Sequence, residues 1–305
     1  MNADSAYIEP FLYDWVDHLQ KIMNERKQEI INEKYLIMPC EALTTHIIKA
    51  FTYIANYLGL DHHVKYMALE LFDKFMNKYF CEIYNEKNDQ SDEWWENFKK
   101  KTCIHKKLYF MSCFQVACKV NSHPNSLKIS QVLEFLHIID KNYEYTQDVV
   151  SSIEIEILKK VGFRMPFYTP VYCIEILLAA INFLKLPFNG SREPIEYRGT
   201  LFTTSMQLLD LAYFEHEKLY HHFQLYLGFY KNASMCNQEK ELRLRVLKSN
   251  TLFLSAAIVL CARYILYPNI SDTTDKIIVV NLAKLVNARN IDVIVMANIL
   301  FQIIQ

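Results

Sequence analysis

The fold is decided by one stretch of the chain, Leu108-Tyr109-Phe110-Met111-Ser112-Cys113-Phe114-Gln115-Val116-Ala117-Cys118-Lys119. Wound as a helix, residues 106–119 leave almost no polar face, and a helix that is apolar all round is buried on every side. Three small residues, Ser112, Ala117 and Cys118, would let neighbouring helices approach closely. We therefore predict that 106–119 is the central helix of a globular bundle.

A second stretch of the same type lies in the C-terminal half of the chain. Residues 252–266 are nearly all apolar, and they include the small residues Ser255, Ala256 and Ala257. Between the two stretches, Thr169-Pro170 suits a helix start, with a capping threonine followed by proline in the first turn. The sequence therefore predicts two halves, each of about five helices around one buried helix.

Apolar residues at helical spacing predict further helices, which span 10–33, 42–58, 62–79, 130–139, 170–185, 198–214, 216–230, 275–288 and 291–304. Another helix is predicted between Thr146, as its N-cap, and Gly162, as its stop. The apolar stripe of helix 10–33 consists of Leu12, Trp15, Leu19, Met23 and Ile30. So little apolar surface does not stabilise a helix alone, so we expect this helix to dock on a larger body.

The composition favours an all-α fold and argues against direct binding of nucleic acid. The chain has 305 residues, of which 51% are hydrophobic and 22% are charged, and only 5 are glycine. All-β folds and glycine-rich nucleotide loops need more turn residues than that. The formal net charge is −1, whereas surfaces that bind nucleic acid are usually basic.

The sequence contains no complete catalytic or metal-binding motif. In His216-Glu217-Lys218-Leu219-Tyr220, a tyrosine stands where the H-E-x-x-H zinc motif needs its second histidine. None of the 8 cysteines forms a C-x-x-C pair, which favours buried free thiols in a reducing compartment. We expect a protein that is not an enzyme and that holds no cofactor, metal or small-molecule substrate.

Neither the start of the chain nor its apolar stretches predict a membrane or secreted protein. Residues 1–5 do not form the charged and apolar pattern of a signal peptide. Glu175 interrupts one long apolar stretch and Arg263 interrupts another, so both are short of a membrane span. We expect no membrane-spanning segment.

Two polar segments are predicted to be insertions into the helical halves. Residues 81–103 surround the pair Trp94-Trp95, and residues 231–248 are polar and of mixed charge. Trp94 and Trp95 have two alternative roles, since a tryptophan pair either anchors a protein partner or fixes its own segment to the body of the protein.

Several stretches resemble the cyclin family. Residues 48–76 align without gaps with the first two helices of the cyclin box, and Asp73-Lys74-Phe75-Met76 stands where cyclins carry Asp-Arg-Phe-Leu. The central helix of the box ends in Ala-Ser-Lys in cyclins and in Ala117-Cys118-Lys119 here. The resemblance implies tandem cyclin-box bundles: a docked N-terminal helix (1–36), a first box (37–165) and a divergent second box (166–305).

The resemblance also implies a site for a protein partner. In cyclins, a lysine at the end of the central helix and a glutamate in the fifth helix contact the kinase, and Lys119 and Glu154 stand at those positions. The alternative is that Lys119 only caps its helix and that Glu154 is solvated. The acidic residues that often follow the lysine are absent, because Val120-Asn121-Ser122 follows it. The docking motif Met-Arg-Ala-Ile-Leu is replaced by residues 43–47, so recruitment through that groove is not expected.

Within the cyclin family, the resemblance over nearly the whole chain is to a meiotic crossover factor. It implies a non-catalytic adaptor on meiotic chromosomes in the nucleus, with the cytoplasm left open as a second location. Its partners would be proteins, either a cyclin-dependent kinase or recombination and replication-factor proteins. Two alternatives remain open: a regulatory subunit that activates a cyclin-dependent kinase, and a cyclin-box transcription factor that binds DNA.

Overall fold

The structure is a computed structural model of the chain. It describes the backbone of residues 3–32, 43–86, 92–121, 127–139, 141, 144–183, 194–230, 237–268 and 272–305. The side chains of these residues are described except in 3–10, 81–104, 182–183, 194–198, 229–230, 237–241, 243 and 272–275.

The described residues form thirteen α-helices and no strand, which confirms the predicted all-α fold. The helices are α1 (Ala3–Asn32), α2 (Thr45–Tyr57), α3 (His62–Glu86), α4 (Asp92–Val120), α5 (Ile129–Ile139), α6 (Gln147–Lys160), α7 (Pro170–Phe183), α8 (Pro194–Phe214), α9 (His216–Tyr230), α10 (Asn237–Lys248), α11 (Thr251–Leu266), α12 (Asp272–Leu285) and α13 (Asn290–Ile304). Within the described residues, none of these helices combines the length and the apolar character needed to cross a membrane.

The chain divides into two compact units, and the first consists of residues 36–169. This five-helix unit contains α2 to α6, and its central helix α4 packs against α3, α5 and α6. Every residue from Leu108 to Cys118 is buried, as the prediction of a central helix requires. Aromatic rings fill the space between α2 and α4, since the Phe51 ring lies 4.0 Å from that of Phe110 and 4.9 Å from that of Phe114.

The second unit consists of residues 1–35 and 170–305. It contains α1 together with α7 to α13, which is seven helices after residue 170 where the sequence predicts about five. Its central helix is α11, whose residues from Thr251 to Arg263 are all buried. The apolar stretch 252–266 was therefore assigned correctly.

Helix α1 docks on the second unit, against α7, α10 and α11. Its buried residues are Leu12, Val16, Leu19 and Met23. The predicted stripe was wrong at Trp15, which is 46% exposed, because 3.6 residues per turn place position 16 closer than position 15 to the line of Leu12, Leu19 and Met23. Gln20 fixes the helix further, since its Nε2 donates to the Leu285 carbonyl at 2.8 Å.

The ends of several helices follow the sequence signals. Gly59 and Gly162 adopt left-handed φ angles of 61° and 66°, as stop residues of helices do. The Thr146 hydroxyl accepts a hydrogen bond from the Val149 amide and caps α6, as predicted.

Both segments that were predicted to be insertions contribute helical backbone. The segment 81–103 falls on the last turns of α3 and the first turns of α4, so the central helix begins at Asp92 and not near residue 106. The segment 231–248 includes α10, which packs against α1 and α9. Residues 87–91 and 231–236 lie outside the described part of the chain.

Candidate partner-binding site

Lys119 and Glu154 form an ion pair at the surface of the five-helix unit. The Lys119 Nζ donates to both carboxylate oxygens of Glu154, and each N···O distance is 2.8 Å. The lysine side chain is 50% exposed and the glutamate side chain is 12% exposed. The pair therefore has a buried, acidic side and a solvent-facing, basic side.

The helical register of α6 explains why Glu154 is buried. It lies four residues after Val150, three before Ile157 and seven before Val161, and all three of these residues are fully buried. The alternative in which Glu154 is a solvated residue is therefore wrong. Because α4 packs against α6, the last turn of α4 brings Lys119 to this carboxylate, and the pairing offsets the cost of burying its charge.

The turn that follows Lys119 is ordered by short polar contacts. The Asn121 amide nitrogen donates to the carbonyl of Ala117, and its side chain lies 3.4 Å from the Met67 sulfur. Nearby, an Asp61 carboxylate oxygen accepts from the Val64 amide at 2.8 Å and caps the start of α3. The two contacts of Asn121 order the turn that directly follows Lys119.

Phe163, directly after α6, is a candidate contact residue that the sequence reasoning missed. It is 68% exposed and adopts a positive φ of 56°, which is unfavourable for a residue with a side chain. Its amide donates to the Leu158 carbonyl at 2.8 Å, so the strained conformation belongs to the end of the helix. An exposed aromatic residue held in such a conformation is typical of functional surfaces. The only signal in the sequence is that Phe163 follows the stop residue Gly162.

The tryptophan pair is described by its backbone alone. Trp94 and Trp95 lie in the first turns of α4 by their backbone, and their side chains lie outside the described residues. Their assignment as a partner anchor stays a prediction.

The incomplete zinc motif at residues 216–220 does not form a metal site. Tyr220 is buried, and the His216 ring nitrogen Nδ1 lies 3.0 Å from the Tyr213 carbonyl oxygen. The rings of His221 and His222 diverge, with centroids 6.0 Å apart and planes at 73°. Among the residues whose side chains are described, no group of three histidine, cysteine or acidic residues could hold a metal ion.

Comparison with known proteins gives two relatives, both named cyclin N-terminal domain-containing protein 1. The chain is 26% identical to the Mus musculus protein over 227 residues, which are 72% of this chain and 64% of the relative. It is 29% identical to the Homo sapiens protein over 167 residues, which are 53% of this chain and 48% of the relative. The matches thus span less than two thirds of either relative.

No family model matches the chain, and no solved structure matches it. The relationship therefore rests on the two relatives, together with the helical architecture and the motifs around Lys119. The all-α fold and the buried residues 108–118 of the central helix α4 agree with what the resemblance implied. The similarity to these two proteins, together with the all-α fold, supports a relation to the cyclin-like family.

Proposed function

We propose that this chain is a non-catalytic, cyclin-like adaptor that acts in crossover designation and maturation on meiotic chromosomes in the nucleus. The proposal is carried by the ion pair of Lys119 and Glu154, which stands at the two positions where the cyclin resemblance implies a partner contact. Its partners would be recombination and replication-factor proteins or a kinase. The similarity to cyclin N-terminal domain-containing protein 1 supports the family part of this proposal.

The pair is suited to orient a protein partner. An ammonium group has three donors, and two of the Lys119 hydrogen bonds go to Glu154. The third can point to a carbonyl or carboxylate of a partner, because half of the lysine side chain is exposed. Such a charged contact favours one orientation of the partner more than it raises affinity. Phe163, 68% exposed, would add the apolar contact that affinity requires.

The meiotic role is tested by deleting the gene in the source organism and counting crossovers per meiotic nucleus. We expect the deletion to lower the count, the wild-type chain to restore it, and Lys119→Ala/Glu154→Ala to fail. The matched control is Lys218→Ala/Glu215→Ala, which removes an exposed ion pair of 2.7 Å in the other unit. An unchanged crossover count after deletion contradicts the meiotic role. Full rescue by the Lys119/Glu154 variant contradicts the site.

The second candidate function is activation of a cyclin-dependent kinase. It is favoured by the same ion pair, because the resemblance assigns Lys119 and Glu154 to a kinase contact. Mixing the purified chain with a meiotic cyclin-dependent kinase and measuring phosphate transfer separates the two functions. An adaptor leaves the rate unchanged. An activator raises the rate, and Lys119→Ala/Glu154→Ala then abolishes that rise.

A further inference from the structure

Two polar side chains are buried inside the central helix of the five-helix unit. Ser112 and Gln115 of α4 are both fully buried. The Ser112 Oγ and both amide atoms of Gln115, Nε2 and Oε1, have no hydrogen-bond partner among the described residues. Buried polar groups in native proteins are almost always paired, because an unpaired group loses its hydration without compensation. A leucine at position 115 would avoid this cost, so the amide requires a physical explanation.

Both residues lie on the stripe of α4 that ends at Lys119. At 3.6 residues per turn, Ser112 and Gln115 lie about 20° and about 40° from Lys119 around the helix axis. Gln115 comes one turn before Lys119, about 6 Å along the axis, and Ser112 comes about 10 Å before it. The stripe therefore leads from the core of the unit to the ion pair at its surface.

Helix α6 packs along this stripe. Near the end of α4, Lys119 binds Glu154 of α6. Nearer the start of α4, burial raises the pKa of the Tyr109 hydroxyl, and the charge of Glu156 in α6 raises it further. Residues of α6 thus act on α4 at positions 109 and 119, and the two buried polar residues lie between these positions.

The side chain of Lys119 leads back toward Gln115. Side chains of an α-helix lean toward its N-terminus and cover the preceding turn. The Lys119 Nζ binds both oxygens of Glu154 at 2.8 Å, which brings this carboxylate to the turn that carries Gln115. A carboxylate has about four acceptor positions, so Glu154 has capacity for a second donor.

We propose that Gln115 is a positioning residue that takes over the Glu154 carboxylate when a protein partner draws Lys119 away. The Gln115 side chain then rotates, and its Nε2 donates to a carboxylate oxygen of Glu154. The buried charge is not left unpaired, which removes the main cost of releasing Lys119. This inference rests on the proposed function, in which Lys119 contacts a protein partner.

The exchange of donors explains why position 115 carries an amide. In the chain without a partner, Lys119 satisfies Glu154, because a charged donor makes the stronger hydrogen bond. When the ammonium turns to a carboxylate of the partner, Glu154 loses a hydrogen bond and the buried amide of Gln115 gains one. The gain offsets the loss, so the partner does not have to supply all of the free energy that breaks the ion pair.

The first test needs no partner, because Lys119→Ala removes the ammonium permanently. We expect Gln115→Met, which keeps the length of the side chain, to leave the unfolding equilibrium constant of the wild type within about twofold or to lower it. In the Lys119→Ala chain, the same substitution should raise this constant about tenfold or more, because a hydrogen bond to a charged group is lost. Urea denaturation measures all four proteins, and Gln115→Leu repeats the comparison if Gln115→Met does not fold.

Two controls isolate the contact between Gln115 and Glu154. Ser112→Ala removes the other buried polar group of the stripe, which is too far from Lys119 to replace it, so its effect should be equal with and without Lys119. In the chain that carries Lys119→Ala/Glu154→Ala, Gln115→Met should again change the unfolding equilibrium constant by less than about twofold, because no carboxylate is left to bind.

The amide group of Gln115 gives a direct spectroscopic signal. In a chain with isotope-labelled glutamine, the side-chain signals of Gln115 are those that Gln115→Met removes. We expect Lys119→Ala to shift these signals and to slow their exchange with solvent, and Lys119→Ala/Glu154→Ala to do neither.

The proposal is overturned if Gln115→Met has the same effect with and without Lys119, or if Ser112→Ala depends on Lys119 as strongly as Gln115→Met does. It is also overturned if the Gln115 signals do not respond to Lys119→Ala. Because these measurements involve no partner, they can fail while the Lys119→Ala/Glu154→Ala chain still fails to restore crossovers. The failure of this inference is therefore distinguishable from the failure of the proposed function.

Discussion

Lys119 and Glu154 share an ion pair of 2.8 Å but differ in exposure, since 50% of the lysine side chain and only 12% of the glutamate side chain reach solvent. The loss of one partner is therefore not equivalent to the loss of the other. A lysine without its glutamate can be hydrated, whereas a glutamate without its lysine remains a buried charge.

We predict that Lys119→Ala lowers the free energy of unfolding by about 1–3 kcal/mol, and that Glu154→Ala lowers it by less. The double variant should be more stable than Lys119→Ala alone, because it removes the buried carboxylate as well. Urea denaturation of the four proteins measures these differences. As a control, Lys218→Ala breaks an exposed pair and should cost below about 1 kcal/mol. Equal losses in the two single variants would contradict this asymmetry.

The central helix of the five-helix unit provides a second prediction. Phe114 is fully buried and lies 4.9 Å from the Phe51 ring, so Phe114→Ala should cost about 3–5 kcal/mol of unfolding free energy. Tyr53, an aromatic residue that is 68% exposed, is the control, and Tyr53→Ala should cost below about 1 kcal/mol. Thermal unfolding measures both. If the two substitutions have similar effects, α4 is not the packed core of this unit.

The docking of α1 provides a third prediction. Leu19 is fully buried and Trp15 is 46% exposed, although the sequence places both on one stripe. Leu19→Ala should cost about 2–4 kcal/mol and should raise hydrogen exchange in α1, whereas Trp15→Ala should do neither. Exchange measured by mass spectrometry checks this. A larger effect of Trp15→Ala would mean that the helix docks through the face predicted from the sequence.

Phe163 provides a fourth prediction, which separates stability from function. Its φ of 56° costs about 1–2 kcal/mol in a residue with a side chain, so Phe163→Gly should raise the unfolding free energy or leave it unchanged. Phe167 is similarly exposed, at 55%, and has no positive φ, so Phe167→Gly should lower the unfolding free energy by about 0.5–1 kcal/mol. Chemical denaturation compares them. A strong loss of stability in Phe163→Gly would contradict a purely functional role of this aromatic residue.

The buried thiols provide a fifth prediction. Cys113, Cys118, Cys173 and Cys261 are buried, and burial raises the pKa of Cys261 to about 12. Only the thiolate reacts, and the raised pKa keeps the Cys261 thiol protonated at pH 8. Alkylation of the native chain, followed by mass spectrometry, should leave these four sites unmodified until urea is added. Rapid modification of Cys261 at neutral pH would contradict the packing around α11.

The positions of the two central helices could be predicted from the sequence because an apolar surface on every side is a local property. The predicted stretches 106–119 and 252–266 are buried over residues 108–118 and 252–263. The start of α4 could not be predicted in this way, because the polar residues from Asp92 onward carry no apolar periodicity although they continue the same helix. Position 15 was wrongly assigned to the buried stripe of α1 because tryptophan has a large apolar surface. The smaller Val16 is the buried residue, because its position lies closer to the buried face of the helix.

The candidate site could be predicted only in part. The resemblance indicated Lys119 and Glu154 as a pair of positions, and the spacing from Val150 and Ile157 places Glu154 on the apolar face of its helix, but spacing alone could not decide whether a glutamate is tolerated there. The decision depends on Lys119, which is 35 residues away and supplies the charge that makes burial of Glu154 tolerable. Phe163 could not be recognised as an exposed residue from spacing, because the sequence shows only that it follows the stop residue Gly162.

The central claim is that the surface around Lys119 and Glu154 contacts a protein partner during meiosis. A photo-crosslinking amino acid at position 120, beside the intact ion pair, tests it in meiotic cells, with the exposed position 217 in α9 as the control. We predict a discrete adduct with one partner from position 120 that Lys119→Ala/Glu154→Ala abolishes, and no such adduct from position 217. The account is contradicted if position 120 gives no adduct, or gives the same adducts as position 217.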